Sequence, residues 1–135
     1  MKSKKTLITI LSITAIFLIG CVLLIPQRTD MAFVEAGQVT FVYDGKNIHT
    51  ILSEEDLNKI IKMFDNKLLY HDFPACGFSE SISIQLNESE VFCIACDGHN
   101  LVYWKNKDRY FTLSKKEIVL LHELLSKYGF SFPCI

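Results

Sequence analysis

The sequence predicts an α+β fold. An apolar N-terminal helix precedes one small domain, in which two amphipathic helices pack on one face of an antiparallel β-sheet. Three observations carry this reading. Residues 6–25 form an apolar run without a charge, set between Lys2, Lys4 and Lys5 on one side and Pro26 on the other. Beyond it, short runs of alternating apolar and polar residues break at Asp44-Gly45 and Asp97-Gly98, residue pairs that tight hairpins favour. Two serines, Ser53 and Ser114, each open a stretch whose apolar residues recur at helical spacing.

The first run sets the organisation. A helix needs about 20 apolar residues to cross a bilayer core, and residues 6–25 just suffice. The lysines precede the run and only Arg28 follows closely, which keeps the N-terminus cytoplasmic and turns the domain outward. Residues 1–26 therefore read as the signal anchor, or transmembrane helix, of a single-pass bacterial cell-membrane protein. A second reading is a lipoprotein signal peptide. Leu18-Ile19-Gly20-Cys21 resembles a bacterial lipobox, which makes Cys21 a lipidation candidate. Against it, residues 22–25 stay apolar where lipoproteins turn polar. Both readings make the domain extracytoplasmic.

Residues 27–37 read as a linker and residues 38–135 as the domain. Val39, Phe41 and Tyr43 share one face of a strand, Gly45 takes the positive φ of a type I′ turn, and residues 47–52 return. Ser53-Glu54-Glu55-Asp56 caps a helix whose buried stripe is Leu57, Ile60, Ile61 and Phe64. A long loop, 67–79, carries Pro74, Cys76 and Gly77. Ile82, Ile84 and Leu86 alternate as a half-buried strand, and residues 91–104 form the central hairpin. Residues 109–113 make the last strand. Ser114 and Glu117 form a second capping box before Ile118, Leu121 and Leu125, and Gly129 is a left-handed stop. The tail 130–135 is too apolar to stay in water and is expected to return to the sheet around Phe92, Ile94 and Tyr103.

Ser53 and Ser114, Asp56 and Glu117, Leu57 and Ile118, and Phe64 and Leu125 each stand 61 positions apart. Either an internal duplication or the common look of capped helices after hairpins accounts for this.

Composition excludes some partners. From residue 31 onward ten Lys and Arg stand against fourteen Asp and Glu, with no basic stripe, so nucleic acid is not an expected partner. No segment is low in complexity, which argues against disorder.

Cys76, Cys93, Cys96 and Cys134 are the disulfide or metal candidates. An even number in a small exported domain suggests bridges, each contributing roughly 3–4 kcal/mol. Residues three apart in a strand point to opposite faces, so Cys93 and Cys96 look to different partners. The returning tail brings Cys134 beside Cys96, with Cys76 joining from the loop and Cys93 left as a buried thiol on the other face. Zinc is the one cofactor considered, with these four thiolates as ligands, although a zinc ribbon would show a second close pair. A redox role is weaker, since neither cysteine of the pair opens a helix.

Among the histidines, His122 reads as a packed core residue. His71-Asp72 and Asp97-Gly98-His99 are acid–imidazole neighbours in sequence, along with the unattached His49. No phosphate loop, nucleophile elbow or His-Glu-x-x-His motif occurs, so no catalytic residue and no enzyme activity are predicted. Asn87-Glu88-Ser89 matches a glycosylation sequon.

Cys76-Gly77-Phe78-Ser79-Glu80, Phe92-Cys93-Ile94-Ala95-Cys96-Asp97 and Tyr128-Gly129-Phe130-Ser131-Phe132-Pro133-Cys134 together resemble a family of small uncharacterised proteins of low-GC Gram-positive bacteria. The resemblance covers residues 53–135. It implies that Cys76, Cys96 and Cys134 with their neighbours form one unit, and it transfers no functional residue. The expected function is a membrane-anchored extracytoplasmic binding or interaction module with a protein partner. The alternatives are a thiol- or zinc-dependent module and a lipoprotein of inhibitor or immunity type.

Overall fold

Among the described residues, six strands join into one antiparallel sheet in the order β2-β1-β3-β4-β5-β6. The computed structural model describes residues 2–23, 25–43, 45–71, 78, 82–95, 97 and 99–130. The strands are β1 (Gly37–Tyr43), β2 (Lys46–Ile51), β3 (Ile82–Leu86), β4 (Glu90–Ile94), β5 (Leu101–Trp104) and β6 (Arg109–Thr112). Three α-helices accompany them: α1 (Lys2–Leu23), α2 (Glu54–Phe64) and α3 (Lys115–Ser126).

Alternation explains which face is buried. Val39, Ile84, Phe92, Trp104 and Phe111 lie on one side of the sheet, and α2 and α3 cover them. Phe64 of α2 is the hub of this layer, with its ring 5.3 Å from that of Phe92 and 5.2 Å from that of Phe111. Ile60, Leu121 and Leu125 fill the same core and are fully buried. Both serines cap as expected. Ser53 Oγ accepts from the Asp56 N–H, and Ser114 with Glu117 completes a capping box.

The helices run antiparallel and are tied at both ends. Lys127, at the end of α3, reaches Asp56 near the start of α2 at 2.9 Å. Lys67, past the end of α2, reaches Glu117 near the start of α3 at 2.6 Å. Gly129, at φ 92°, closes a Schellman turn in which the Phe130 N–H reaches the Leu125 carbonyl.

The opposite face of the sheet is mixed. Thr40, Ser83, Cys93, Tyr103 and Tyr110 lie across it in register. The Tyr103 and Tyr110 rings stack at 4.8 Å, and Phe78 tilts against both. Ser83 of β3 is buried on this face as well, where the strand was expected to be half buried.

Two expectations need correction. Much of 27–37 is not a free linker. Thr29, Met31 and Val34 are buried in the domain. Thr29 Oγ donates to the Phe64 carbonyl and accepts from the Lys67 N–H, which completes the C-terminus of α2 with a residue from far upstream. Farther along, Asn87 Oδ1 accepts from the Glu35 and Ala36 N–H groups while its Nδ2 donates to the Phe33 carbonyl. The sequon asparagine is thus a clamp for this strap. Its φ of 46° suits a turn that asparagine tolerates. The second correction concerns the start of the tail. Phe130 packs edge-on against Phe41 of β1, with centroids 5.5 Å apart, rather than against Phe92, Ile94 and Tyr103. Residues 131–135 lie outside the described residues.

Helix α1 is apolar all round and stands apart from this core. Leu7, Ile10, Phe17 and Ile19 are among nine large apolar side chains between residues 7 and 19 that are 57–70% exposed. Among the described residues no helix is long and apolar enough to cross a membrane. The uninterrupted described side chains of α1 run from Thr6 to Cys21, short of the sequence run 6–25.

Candidate functional site

The candidate cysteines divide. Cys21 is exposed on α1, and Cys93 is buried on the mixed face of β4, opposite Ser83 and Tyr103. That is the burial expected for Cys93. Cys76, Cys96 and Cys134 lie outside the described residues, and with them the expected approach of Cys134 to Cys96. Among the described residues no three His, Cys, Asp or Glu side chains gather as a metal site.

The acid–imidazole pairs resolve in different ways. Asp97 and His99 meet at 2.7 Å, but both are on the surface of the β4–β5 turn. His71 accepts from Arg109 at 3.1 Å on the exposed edge of the sheet. His49 bonds Thr40 across the β1–β2 hairpin at 3.0 Å. His122 is half buried in α3, and burial lowers its pKa from the ordinary 6.5. Each is explained by local packing.

The side chains that do converge come from three separate stretches. A cleft of about 710 Å³ lies between the strap and the β5–β6 end of the sheet, lined by Gln27, Arg28, Asp30, Phe33, Leu69, Glu90, Trp104, Lys107 and Arg109. A shallower hollow of about 590 Å³ shares Gln27, Leu69 and Arg109 with it and extends to Ile25, Pro26 and His71. Together they make one trough that begins where α1 ends.

Local structure fixes each wall. Arg28 is held by a two-way pairing of the strap with residues 67–69, through the Leu69 N–H to the Gln27 carbonyl and the Thr29 N–H to the Lys67 carbonyl. Its Nη1 donates to the Asn66 carbonyl at 2.9 Å. Lys107 sits on the short 3₁₀ turn Lys105–Lys107, which Asn106 pins by donating to the Ser89 carbonyl and accepting from the Val91 N–H. The Lys107 ammonium lies 5.7 Å from the centre of the Trp104 ring. Arg109 opens edge strand β6, and its Nη1 donates to the carbonyls of Lys107 and Asp108.

The charges of the trough are unequal in their commitments. Glu90 Oε2 accepts from the Trp104 indole at 2.6 Å, and Asp30 Oδ1 accepts from the Ala32 N–H. Among the described residues no carboxylate lies within ion-pair distance of Arg28, Lys107 or Arg109. The acids serve internal donors while three cations face the opening. Such a surface attracts anions.

Of these residues the sequence reading singled out Arg28 alone, and only for its place in the charge asymmetry. Their signal is conformational, since residues 28, 107 and 109 meet only after the strap docks. A second, smaller groove of about 330 Å³ runs between α2 and α3, floored by Met63, Leu120 and Leu124 and edged by lysine stems.

No protein-family model matches the chain, and neither curated proteins nor solved structures give a match.

Proposed function

We propose that this chain is a membrane-tethered, non-catalytic binding domain, with α1 in the bilayer, the domain outside the cytoplasm and the cationic trough as its binding surface. The observation that carries it is the exposure of apolar side chains around the whole of α1. A helix apolar on every side calls for apolar cover on every side. Its apolar part, residues 6–23, rises about 27 Å, against a bilayer core of about 30 Å. Ser12 and Thr14 turn their hydroxyls onto the carbonyls of Ile8 and Ile10, which hides their polarity from lipid. The sequence carries the run on to Ile25 and places its lysines ahead of it. The same reading keeps the chain beside the small Gram-positive proteins that its cysteine motifs resemble.

Two measurements on cells test this. The full chain should stay in the membrane pellet through alkaline carbonate extraction, and protease added to intact cells should degrade the domain. Release by carbonate, or protection until lysis, overturns the tether or its direction. Cys21→Ala should leave attachment unchanged. A diacylglyceryl mass on Cys21 would instead make the chain a lipoprotein.

A further inference from the structure

We infer that the trough takes the phosphate of an anionic lipid headgroup from the membrane in which α1 sits. This deepens the tethered reading and rests on it. Three facts lead there. Arg28, Lys107 and Arg109 face one opening without a described carboxylate in ion-pair distance, so a bound anion displaces no described carboxylate. Arg28 stands five residues beyond the last residue of α1, and an extended chain covers at most about 3.5 Å per residue. The mouth of the trough is therefore within about 18 Å of the end of the helix, close to the headgroup layer that flanks the bilayer core. Phe33, 45% exposed at the rim, gives an aromatic side chain for the interface between headgroups and acyl chains.

Charge and position together favour a lipid over a protein segment. Three cations outnumber the two carboxylates Asp30 and Glu90 on walls that also carry Phe33, Leu69 and Trp104, the opening is broad, and the strap that carries Arg28 continues the proposed tether. Arg28 and Arg109 each retain N–H donors beyond those spent on carbonyls, in the planar fork that matches a phosphate. Lys107 adds a point charge beside the Trp104 ring.

The chain's single tryptophan lines the trough, so its fluorescence reports occupancy. Full-length protein in neutral detergent micelles would be titrated with phosphatidylglycerol, with phosphatidylcholine and with inorganic phosphate. The expected result is saturable change with phosphatidylglycerol alone, weakened by added salt. Arg28→Gln and Arg109→Gln should each raise the midpoint about fivefold, the effect of one cation at a lipid surface, and Arg109→Lys should restore most of the loss. Matching thermal midpoints for the variants exclude unfolding as the cause. Equal response to phosphatidylcholine, saturation by inorganic phosphate at the same midpoint, or insensitivity to both Arg28→Gln and Arg109→Gln overturns the inference. Because micelles require no insertion, a negative titration beside carbonate resistance defeats the lipid site and leaves the tether standing.

Discussion

The units β1-β2-α2 and β5-β6-α3 occupy opposite halves of one sheet, with β2 and β6 at its edges and both helices on the same face. Displacing the first unit by 61 positions lays Lys46–Ile51 over the region of Arg109–Thr112, and Glu54–Phe64 almost onto Lys115–Ser126. The strand order is symmetric about the β3–β4 junction, so one unit maps onto the other by a half-turn normal to the sheet. The ties between the helices obey the same half-turn, each N-terminal acid meeting a lysine at the far end of its neighbour.

The two halves differ in how they are finished. Helix α3 ends in a Schellman turn made from its own residues. Helix α2 ends against Thr29, supplied by the strap. The strap covers the β5–β6 end as well, and it is there that the trough opens. One half of this frame is thus preceded by the strap, and the other carries two of the three trough cations. The asymmetry, not the repeat, makes the site.

The largest test of this comparison lies in the core. Phe64 and Leu125 are equivalent positions, and both are fully buried. Phe64 touches the rings of two strands, so Phe64→Ala should cost about 3–5 kcal/mol. Leu125→Ala should cost about 3 kcal/mol. Urea unfolding of the full chain, followed by Trp104 fluorescence, measures both. A larger loss at Leu125 would make α3, not α2, the hub of the core.

These equivalences were legible in the sequence because their causes are local. Serine caps, apolar spacing and the Asp44-Gly45 turn act within a few residues, and alternation shows which face a strand buries. The strap was not legible. Thr29, Phe33, Glu35 and Ala36 look like linker until Phe64, Lys67 and Asn87 receive them, and those partners are 35 or more positions away. The trough follows from the strap, so it too was hidden. The sequon around Asn87 gave no sign of the clamp, because its turn conformation and its three side-chain hydrogen bonds leave no trace there. Of the cysteines in the motifs Cys93 alone is placed, since Cys76, Cys96 and Cys134 lie outside the described residues.

A smaller test concerns the reciprocal ties. Asp56 is 6% exposed and accepts from both Lys127 and the Tyr128 hydroxyl at 2.9 Å. Burial pushes its pKa up, but these hydrogen bonds outweigh burial and hold the carboxyl below its ordinary 3.8. Glu117 follows the same pattern, with burial opposed by Lys67 and the Ser114 N–H, and lies below its ordinary 4.5. Carboxylates with depressed folded values stabilise the fold above the unfolded pKa, and that contribution is lost as the pH falls through the folded one. Asp56→Asn should cost about 2 kcal/mol near neutrality and Glu117→Gln about 1 kcal/mol, since the Glu117 side chain is 24% exposed. Glu117→Gln should also flatten the loss of stability below pH 4.5, and Asp56→Asn the loss below pH 3.8. Equal costs for the two would show that burial does not distinguish the ties.

The smallest expected effect sharpens the comparison at one side chain. His122 is the equivalent of Ile61, and both are half buried on the inner side of their helices. Burial lowers the His122 pKa from 6.5, so the folded imidazole takes up a proton less readily than the unfolded one. As the pH falls below 6.5, the unfolded chain takes up the proton first, and stability drops until the folded imidazole also titrates. Replacing the imidazole with the side chain already used in α2 removes this step. His122→Ile should therefore change stability by no more than about 0.5 kcal/mol above neutrality, as exchanges at partly exposed positions usually do. Below pH 6.5 the variant should gain steadily on the parent chain. Asp56 and Glu117 titrate in both proteins, so the difference between the two pH profiles isolates His122. Parallel profiles would show that the imidazole titrates alike in the folded and unfolded chains, and that position 122 is no more enclosed than open solvent.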